Sequence, residues 1–169
     1  ANQIIGNTCL YGATGGRVFA AGRTRGRFCV RNSGGTAVVE GLGDHGCEYM
    51  TGGCVVVLGD IGRNFGAGMS GGRAYIFDPD NKVPENLNPA MVGLERLIDE
   101  DETKAVQKLI YEHLELTESP LANDILKNWT ESVGRFWCVV PHPPEAKPAA
   151  KPVHELADEK AKPAPTGGF

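Results

Sequence analysis

Four residues between positions 44 and 48 have side chains that could perform catalysis. Asp44, His45, Cys47 and Glu48 together supply a thiol, an imidazole and two carboxylates. A cysteine nucleophile needs a histidine within hydrogen-bond distance and a third group that orients the imidazole ring. In a glycine-rich loop, however, a histidine and acids commonly bond the turn backbone instead. We favour this second interpretation and predict no catalytic residue in the chain.

Two segments match the dinucleotide fingerprint GxGxxG, at residues 41–46 and 66–71. The fingerprint binds a pyrophosphate only where a helix begins at the glycines, because the helix N-terminus supplies the amides and the dipole. Here Thr51-Gly52-Gly53 interrupts the chain soon after the first match, and the second match runs directly into the next repeat. We therefore interpret both as chance matches and predict no cofactor-binding residue. A dinucleotide-binding enzyme is the less favoured alternative.

The cysteines show no metal-finger spacing. His45, Cys47 and Cys54 could bind a metal but lack a fourth ligand at a sensible distance along the chain, so no metal site is predicted. The five cysteines are odd in number and contain no CxxC pair; they are Cys9, Cys29, Cys47, Cys54 and Cys138. With no signal peptide and no long apolar stretch, they indicate reduced thiols in the cytoplasm and no membrane segment.

The glycines that surround these candidate groups belong to a repeat. Ser or Thr followed by Gly-Gly occurs four times, and the first glycines are 19, 18 and 19 residues apart. A fixed period with one short apolar run per unit is typical of a solenoid. We predict that the paired glycines build its turns: Gly15, Gly16, Gly34, Gly35, Gly52, Gly53, Gly71 and Gly72. The single glycines that follow the runs (Gly22, Gly41 and Gly59) are expected to turn the chain at positive φ.

The apolar runs align in columns that alternate as in a β-strand. The third and fifth positions after each first glycine hold only small or branched aliphatics: Val18, Ala37, Val55 and Ala74, then Ala20, Val39, Val57 and Ile76. The sequence therefore predicts a mainly β fold, a right-handed parallel β-helix with one strand per coil. The fourth position should face outward and is also apolar: Phe19, Val38, Val56 and Tyr75. Strands that are apolar on both faces are normally covered on both, so we expect helices or a partner domain to cover this column.

The composition divides the chain into three parts. Residues 1–78 hold 19 of the 23 glycines and are predicted to form the β-helix coils, ended by a turn at Asp78. Residues 79–141 are predicted to form the helical cover and a final strand. Residues 142–169 are rich in Pro, Ala and Lys and are predicted to be a disordered tail. Because the chain begins without a polar cap, we expect it to be a fragment of a larger solenoid.

Within the second part we predict three helices and one strand. The first helix should begin at Asn88-Pro89 and carry Met91, Leu94, Leu97 and Ile98. The second should be capped by Asp101, and the third should begin at Ser119-Pro120. The strand covers residues 136–140 and is stopped by Pro141.

Charge excludes a general nucleic-acid binder, since the net charge is −4. Five arginines nevertheless lie close together in the sequence: Arg17, Arg23, Arg25, Arg27 and Arg31. We expect them to line a solenoid edge or pair with carboxylates of a neighbour. Contact with a phosphate or an acidic ligand is the alternative.

Several long segments resemble a known family. They are ANQIIGNTCLYGATGG, RNSGGTAVVEGLGDHGCEYMTGG, GRNFGAGMSGGRAYIFD and LTESPLANDILKNW. They are similar to the carboxy-terminal β-helix, the GXGXG domain, of the glutamate synthase large subunit, over residues 1 to about 141.

The resemblance implies a role in glutamate biosynthesis and ammonia assimilation. In the parent oxidoreductase, a glutaminase domain releases ammonia, which an FMN-containing domain uses to convert 2-oxoglutarate into glutamate. A 3Fe-4S cluster relays electrons from NAD(P)H, through a small subunit, or from ferredoxin. The β-helix domain carries no catalytic residue and holds the other domains in position. The alternative is a free-standing GXGXG subunit that docks on a separate redox enzyme, as in a split glutamate synthase or formylmethanofuran dehydrogenase.

Overall fold

The computed structural model of the chain describes residues 2–87 and 89–142. Apart from His142, the predicted tail lies outside the described residues. Seven strands form one sheet in the order β1-β2-β3-β4-β5-β7-β6. The strands are β1 (Gln3–Ile5), β2 (Arg17–Thr24), β3 (Thr36–Gly41), β4 (Thr51–Val57), β5 (Gly71–Phe77), β6 (Val92–Arg96) and β7 (Phe136–Pro141). Helices α1 (Glu100–Thr117), α2 (Pro120–Lys127) and α3 (Trp129–Ser132) lie between β6 and β7.

The first five strands confirm the predicted β-helix. Each is parallel to the next, and successive strands stack in a solenoid of about four turns. We name its coils by their loop and strand: coil 1 (7–24), coil 2 (26–41), coil 3 (43–57) and coil 4 (62–77). The register matches the predicted columns, since Ala37 pairs with Val55 and Val55 pairs with Ala74.

The two faces of the strands bury two separate cores. The solenoid interior contains the predicted inward columns except for the partly buried Val18. Phe28, Leu42, Met50 and Phe65 from the loops complete this core. The outward column packs against the helices, as expected, with Val106 and Ile110 of α1 and Ile125 of α2 fully or almost fully buried there. Burying an aliphatic side chain of this size stabilises the fold by about 1.5–3 kcal/mol. The helical cover thus removes the apolar stripe from water.

In three of the four pairs the first glycine (Gly34, Gly52 or Gly71) lies where two coils touch, whereas Gly15 has open space around it. A Cβ atom at Gly52 would be 2.2 Å from the Ser33 carbonyl oxygen, and one at Gly71 would be 2.3 Å from that of Thr51. No side chain fits at such a distance, so glycine is required here by close approach of the backbones. The Ser or Thr before each pair is therefore the residue on which the next coil rests.

Three of the four second glycines, all except Gly35, have a different constraint. Gly53 has φ +85°, and the equivalent Gly16 and Gly72 also have positive φ. The expectation of positive φ at Gly22, Gly41 and Gly59 was wrong, because none of the three is in that region. Their constraint is space: a Cβ at Gly59 would lie 2.5 Å from the Glu40 carbonyl oxygen.

The predicted first helix is wrong. Residues 92–96 form β6, which pairs antiparallel with β7, so the pattern there is that of a strand. Val92 and Leu94 point to the solenoid core, whereas Met91 and Ile98 are exposed. The proposed cap residue Asn88 lies outside the described residues. Pairing with a strand about 45 residues further on overrides the local helix signal.

The other predicted elements are mostly confirmed. Helix α1 is capped by Asp99 and not by Asp101, because the Asp99 carboxylate accepts the Glu102 N–H at 2.8 Å. Ser119 caps α2 as predicted, accepting the Ala122 N–H at 3.0 Å. Strand β7 occupies the predicted position and pairs antiparallel with β5. Strand β7 closes the top of the solenoid. The sequence predicted this strand but not its position in the sheet. No helix among residues 2–87 and 89–142 is long and apolar enough to cross a membrane.

We predict that Gly53→Val destabilises the chain by about 2–5 kcal/mol. Valine at φ +85° is strained, and its Cβ would also lie 2.3 Å from the Gly35 carbonyl oxygen. Gly134→Val is the control, since nothing lies within 4 Å of a Cβ there and φ is not positive. Denaturant unfolding of both variants measures the difference. Equal unfolding free energies would show that the corner tolerates a side chain.

Candidate functional site

The loop between β3 and β4 holds the four residues singled out for catalysis. Asp44 binds Arg63 of the next coil: Arg63 Nη2 and Nε lie 2.8 and 3.2 Å from Oδ2, and the Arg63 N–H donates to Oδ1 at 2.8 Å. These bonds hold the pKa of the Asp44 carboxyl below its usual range. Asp44 therefore ties coil 3 to coil 4.

The side chains of His45 and Cys47 point in opposite directions, His45 toward solvent and Cys47 into the solenoid core. The His45 side chain is 40% exposed, and its Nδ1 lies 2.8 Å from Glu48 Oε1. Cys47 is fully buried in the solenoid core, where its thiol contacts that of Cys29. Glu48 is thus positioned to orient the histidine, but the buried thiol is not open to a substrate.

Both GxGxxG matches serve coil stacking. After Gly46 the chain continues in a turn to β4, and after Gly68 it enters β5 within three residues. A Cβ at Gly43 would lie 2.8 Å from the Arg25 carbonyl carbon, so this glycine lies where coils 2 and 3 touch. A helix begins at neither match.

The loops of all four coils share a backbone conformation that sequence reasoning missed. Every second residue has positive φ: Thr8, Leu10 and Gly12; Arg27, Cys29 and Arg31; His45, Cys47 and Tyr49; Asn64, Gly66 and Gly68. In coils 2 and 3 the N–H groups of these residues bond alternately to the next and the previous coil. Arg27 N–H donates to Asp44 O at 2.8 Å, and Cys29 N–H donates to Cys9 O at 2.9 Å. The loops are therefore stacked as regularly as the strands.

The predicted arginine group divides in two. Arg17 pairs with Glu112 of α1, and Arg23 Nη1 lies 3.4 Å from Asp60 Oδ2. Arg25, Arg27 and Arg31 are exposed, and their side chains make no ion pair with any residue that the structure describes. The expected pairing thus holds for the first two arginines only.

A buried polar junction links the solenoid to its helical cover. The Ser119 hydroxyl donates to Glu40 Oε1, and His113 Nε2 lies 3.5 Å from the same oxygen. His113 and Ser119 are both fully buried, and the two His113 ring nitrogens lack hydrogen-bond partners among the described residues. Burial lowers the pKa of His113, and Glu40 only partly opposes this. The junction thus holds a neutral histidine where α1 and α2 meet the end of β3.

A cleft of about 510 Å³ opens next to this junction, between the solenoid edge and α2. Its charged groups are already engaged. Asp78 accepts the N–H groups of Lys82 and Val83 at 2.9 Å and the Trp137 indole N–H at 3.0 Å. Lys82 pairs with Asp80 at 2.9 Å. The cleft therefore offers no strong charge to a ligand within the described part of the chain.

These features define a parallel β-solenoid domain with a helical cover. A family model described as "GXGXG motif" matches residues 1–142. The chain belongs to this GXGXG family, as its resemblance predicted.

Several curated relatives are glutamate synthases. The chain is 51% identical over 159 residues to the ferredoxin-dependent glutamate synthase 2 of Synechocystis, covering 94% of this chain and 10% of that protein. It is 49% identical to the chloroplastic ferredoxin-dependent glutamate synthase of Spinacia oleracea, over 90% of this chain and 9% of that protein. It is 51% identical to the NADPH glutamate synthase large chain of Bacillus subtilis, over 83% of this chain and 9% of that protein. The chain thus spans about a tenth of the length of these relatives.

The residues of this chain do not fit an iron–sulfur cluster. A cluster is held by several thiolates together, yet Cys29 and Cys47 lie in the solenoid interior, whereas Cys54 and Cys138 lie in the separate core under the helices. Burial raises the pKa of Cys54 and of Cys138 to about 11. Within residues 2–87 and 89–142, no three His, Cys, Asp or Glu side chains gather in a way that could hold a metal.

We predict that the unfolding free energy of the chain falls as the pH drops below about 6.5, the ordinary histidine pKa. His113→Leu should remove the share of this decrease that protonation of His113 causes. Because the folded-state pKa is lowered, the unfolded chain binds the proton first, at a cost of up to about 1.4 kcal/mol per pH unit. Denaturant unfolding between pH 7.5 and 5.5 measures the slope. Equal slopes for His113→Leu and wild type would contradict the assignment.

Proposed function

We propose that this chain is a non-catalytic scaffold segment of a glutamate synthase, which positions the glutaminase and FMN-containing domains. The enzyme as a whole forms two glutamates from glutamine, 2-oxoglutarate and a reductant. The single observation that supports the role most strongly is the continuous backbone bonding of the solenoid. Strands and loops are both hydrogen-bonded from coil to coil. A rigid body of this kind can fix the distance between two domains that pack against it.

The packing of the faces supports the same role. Both faces of the strands are covered within the chain, and the side chains with catalytic potential are buried or paired. Among the described residues, the solenoid ends, the loops and the outer surface of the helical cover are left to contact other domains. A segment built this way contributes shape and rigidity, and the FMN and the 3Fe-4S cluster belong to other domains of the enzyme.

Rigid positioning has a chemical value in this reaction. Ammonia released at one site must reach a second site before it escapes to water, and a loose pair of domains would lose it. Holding two reacting centres in fixed geometry is the part of catalysis that a scaffold can supply. We propose as partners the glutaminase and FMN domains, with a small NAD(P)H-dependent subunit or ferredoxin as electron donor, in the cytoplasm.

We predict that Gly53→Val in the full-length enzyme lowers glutamine-dependent glutamate formation more than ammonia-dependent formation. A distorted coil lets the two domains shift, so that more glutamine is hydrolysed per glutamate formed by reduction. Measuring both products in one assay gives this coupling ratio. Gly134→Val should keep the wild-type ratio. An unchanged ratio in a Gly53→Val enzyme whose solenoid is shown to be destabilised would contradict the scaffold role.

A further inference from the structure

The loops of coils 1–3 carry an exposed surface on which arginines and tyrosines lie together. We call it the Arg–Tyr face and define it by Tyr11, Arg27, Arg31 and Tyr49, with Arg25 at a neighbouring depression. Tyr11 is 51% exposed and Tyr49 is 57% exposed. Tyr11, Arg27, Arg31 and Tyr49 surround a depression of about 220 Å³, which Thr8, Val30 and Glu48 also line; the Glu48 carboxylate is paired with His45. Nothing in the described chain covers this surface.

The backbone under this face does not itself require large side chains. Gly12, Arg31, Tyr49 and Gly68 occupy the same position in successive loops, all at positive φ. The N–H groups of Gly12, Arg31 and Tyr49 make the same bond to the next coil, at 2.8–2.9 Å. Residues other than glycine and asparagine are costly in this region, by roughly 1–2 kcal/mol each. An arginine and a tyrosine are therefore kept here at a cost to folding, which points to a use of their side chains.

The Tyr49 ring is held in place by its neighbour. A Cβ atom at Gly68 would lie 2.6 Å from Tyr49 Cδ1, so the ring rests directly on this glycine. The ring is thus ordered before any partner binds, and an ordered aromatic side chain loses little entropy on binding.

Unpaired positive charge collects on the same face. The other six arginines are engaged: Arg17, Arg23, Arg63, Arg73 and Arg135 in ion pairs, and Arg96 over the Trp137 ring. Arg25, Arg27 and Arg31 alone make no such contact among the described residues. Arginine and tyrosine are the residues most enriched at the energetic centres of protein interfaces, and guanidinium groups bind carboxylates in a bidentate manner.

We propose that the Arg–Tyr face docks a carboxylate-rich surface of another domain of the same glutamate synthase polypeptide. The proposal rests on the scaffold role and names the surface through which the scaffold holds its partner. Relatives extend far beyond the matched segment, which is about a tenth of their length, so such a domain is available within one chain. The net charge of −4 disfavours a polyanion such as nucleic acid as the occupant.

The first test is zero-length cross-linking in the full-length enzyme. Arg27→Lys/Arg31→Lys keeps the charge and supplies amines that a carbodiimide can join to a neighbouring carboxylate. Mass spectrometry should find links from residues 27 and 31 to Asp or Glu of another domain of the same chain. Links to the acidic helix α1 of a second copy would overturn the proposal in favour of self-association. The absence of any link beyond this segment would also overturn it.

The second test is charge reversal. Arg27→Glu/Arg31→Glu should raise glutamine hydrolysis per glutamate formed by at least about threefold at low salt. Lys108→Glu/Lys127→Glu is the matched control, because it reverses two exposed helix charges away from the face and should leave the ratio unchanged. If Gly53→Val uncouples the enzyme and Arg27→Glu/Arg31→Glu does not, the docking surface is wrong and the scaffold role stands. If neither variant uncouples it, the scaffold role itself fails.

Discussion

Close stacking of backbone on backbone is the constraint on which the structure depends. Each coil rests on the previous one with a glycine over a carbonyl oxygen, as Gly52 does over Ser33. At these contacts there is no room for a methyl group, so a side chain would push the coils apart and break the hydrogen bonds of strand and loop together. The glycine pairs recur every 18 or 19 residues because each coil must return to this contact. The side chains of the loops can vary only in ways that preserve it.

The same stacking explains why the helices are needed. A strand that contributes to a narrow solenoid is buried on its inner face, but its outer column here is also apolar, with Val38 and Val56 fully buried under the helices. The cover is fastened at a polar point, where Ser119 and His113 meet Glu40. A buried polar junction of this kind adds little net stability, yet it fixes where the helices sit, since a misplaced helix would leave the carboxylate unpaired.

The repeat made the solenoid predictable, because glycine pairs and aliphatic columns recur locally. The alternating positive φ of the loops was not predictable from Arg27, Cys29 or Tyr49, whose residue types do not favour that region. In coil 4 alone, Asn64, Gly66 and Gly68 carry a recognisable signal. Strand β6 was missed because its partner β7 lies far away in the sequence, whereas Asn88-Pro89 resembles a helix start. The Glu40–Ser119 bond spans 79 residues, and only the tertiary fold brings these groups together.

The loops keep one backbone path while their side chains vary. The backbone therefore provides the stacking of the coils, and the side chains are free to bind a partner. At one position of that path the coils carry glycine, arginine, tyrosine and glycine in turn, with the same hydrogen bond to the next coil in the first three. Since glycine satisfies the path at lower cost, the larger residues need another explanation, and their neighbours indicate one. Two exposed tyrosines lie beside two unpaired arginines, Arg27 and Arg31. Outside residues 25–31, each arginine in the described chain meets a carboxylate or a ring. The arginines that lack such a partner therefore lie in the loop between β2 and β3, which gives the solenoid a defined side from which a partner can be held.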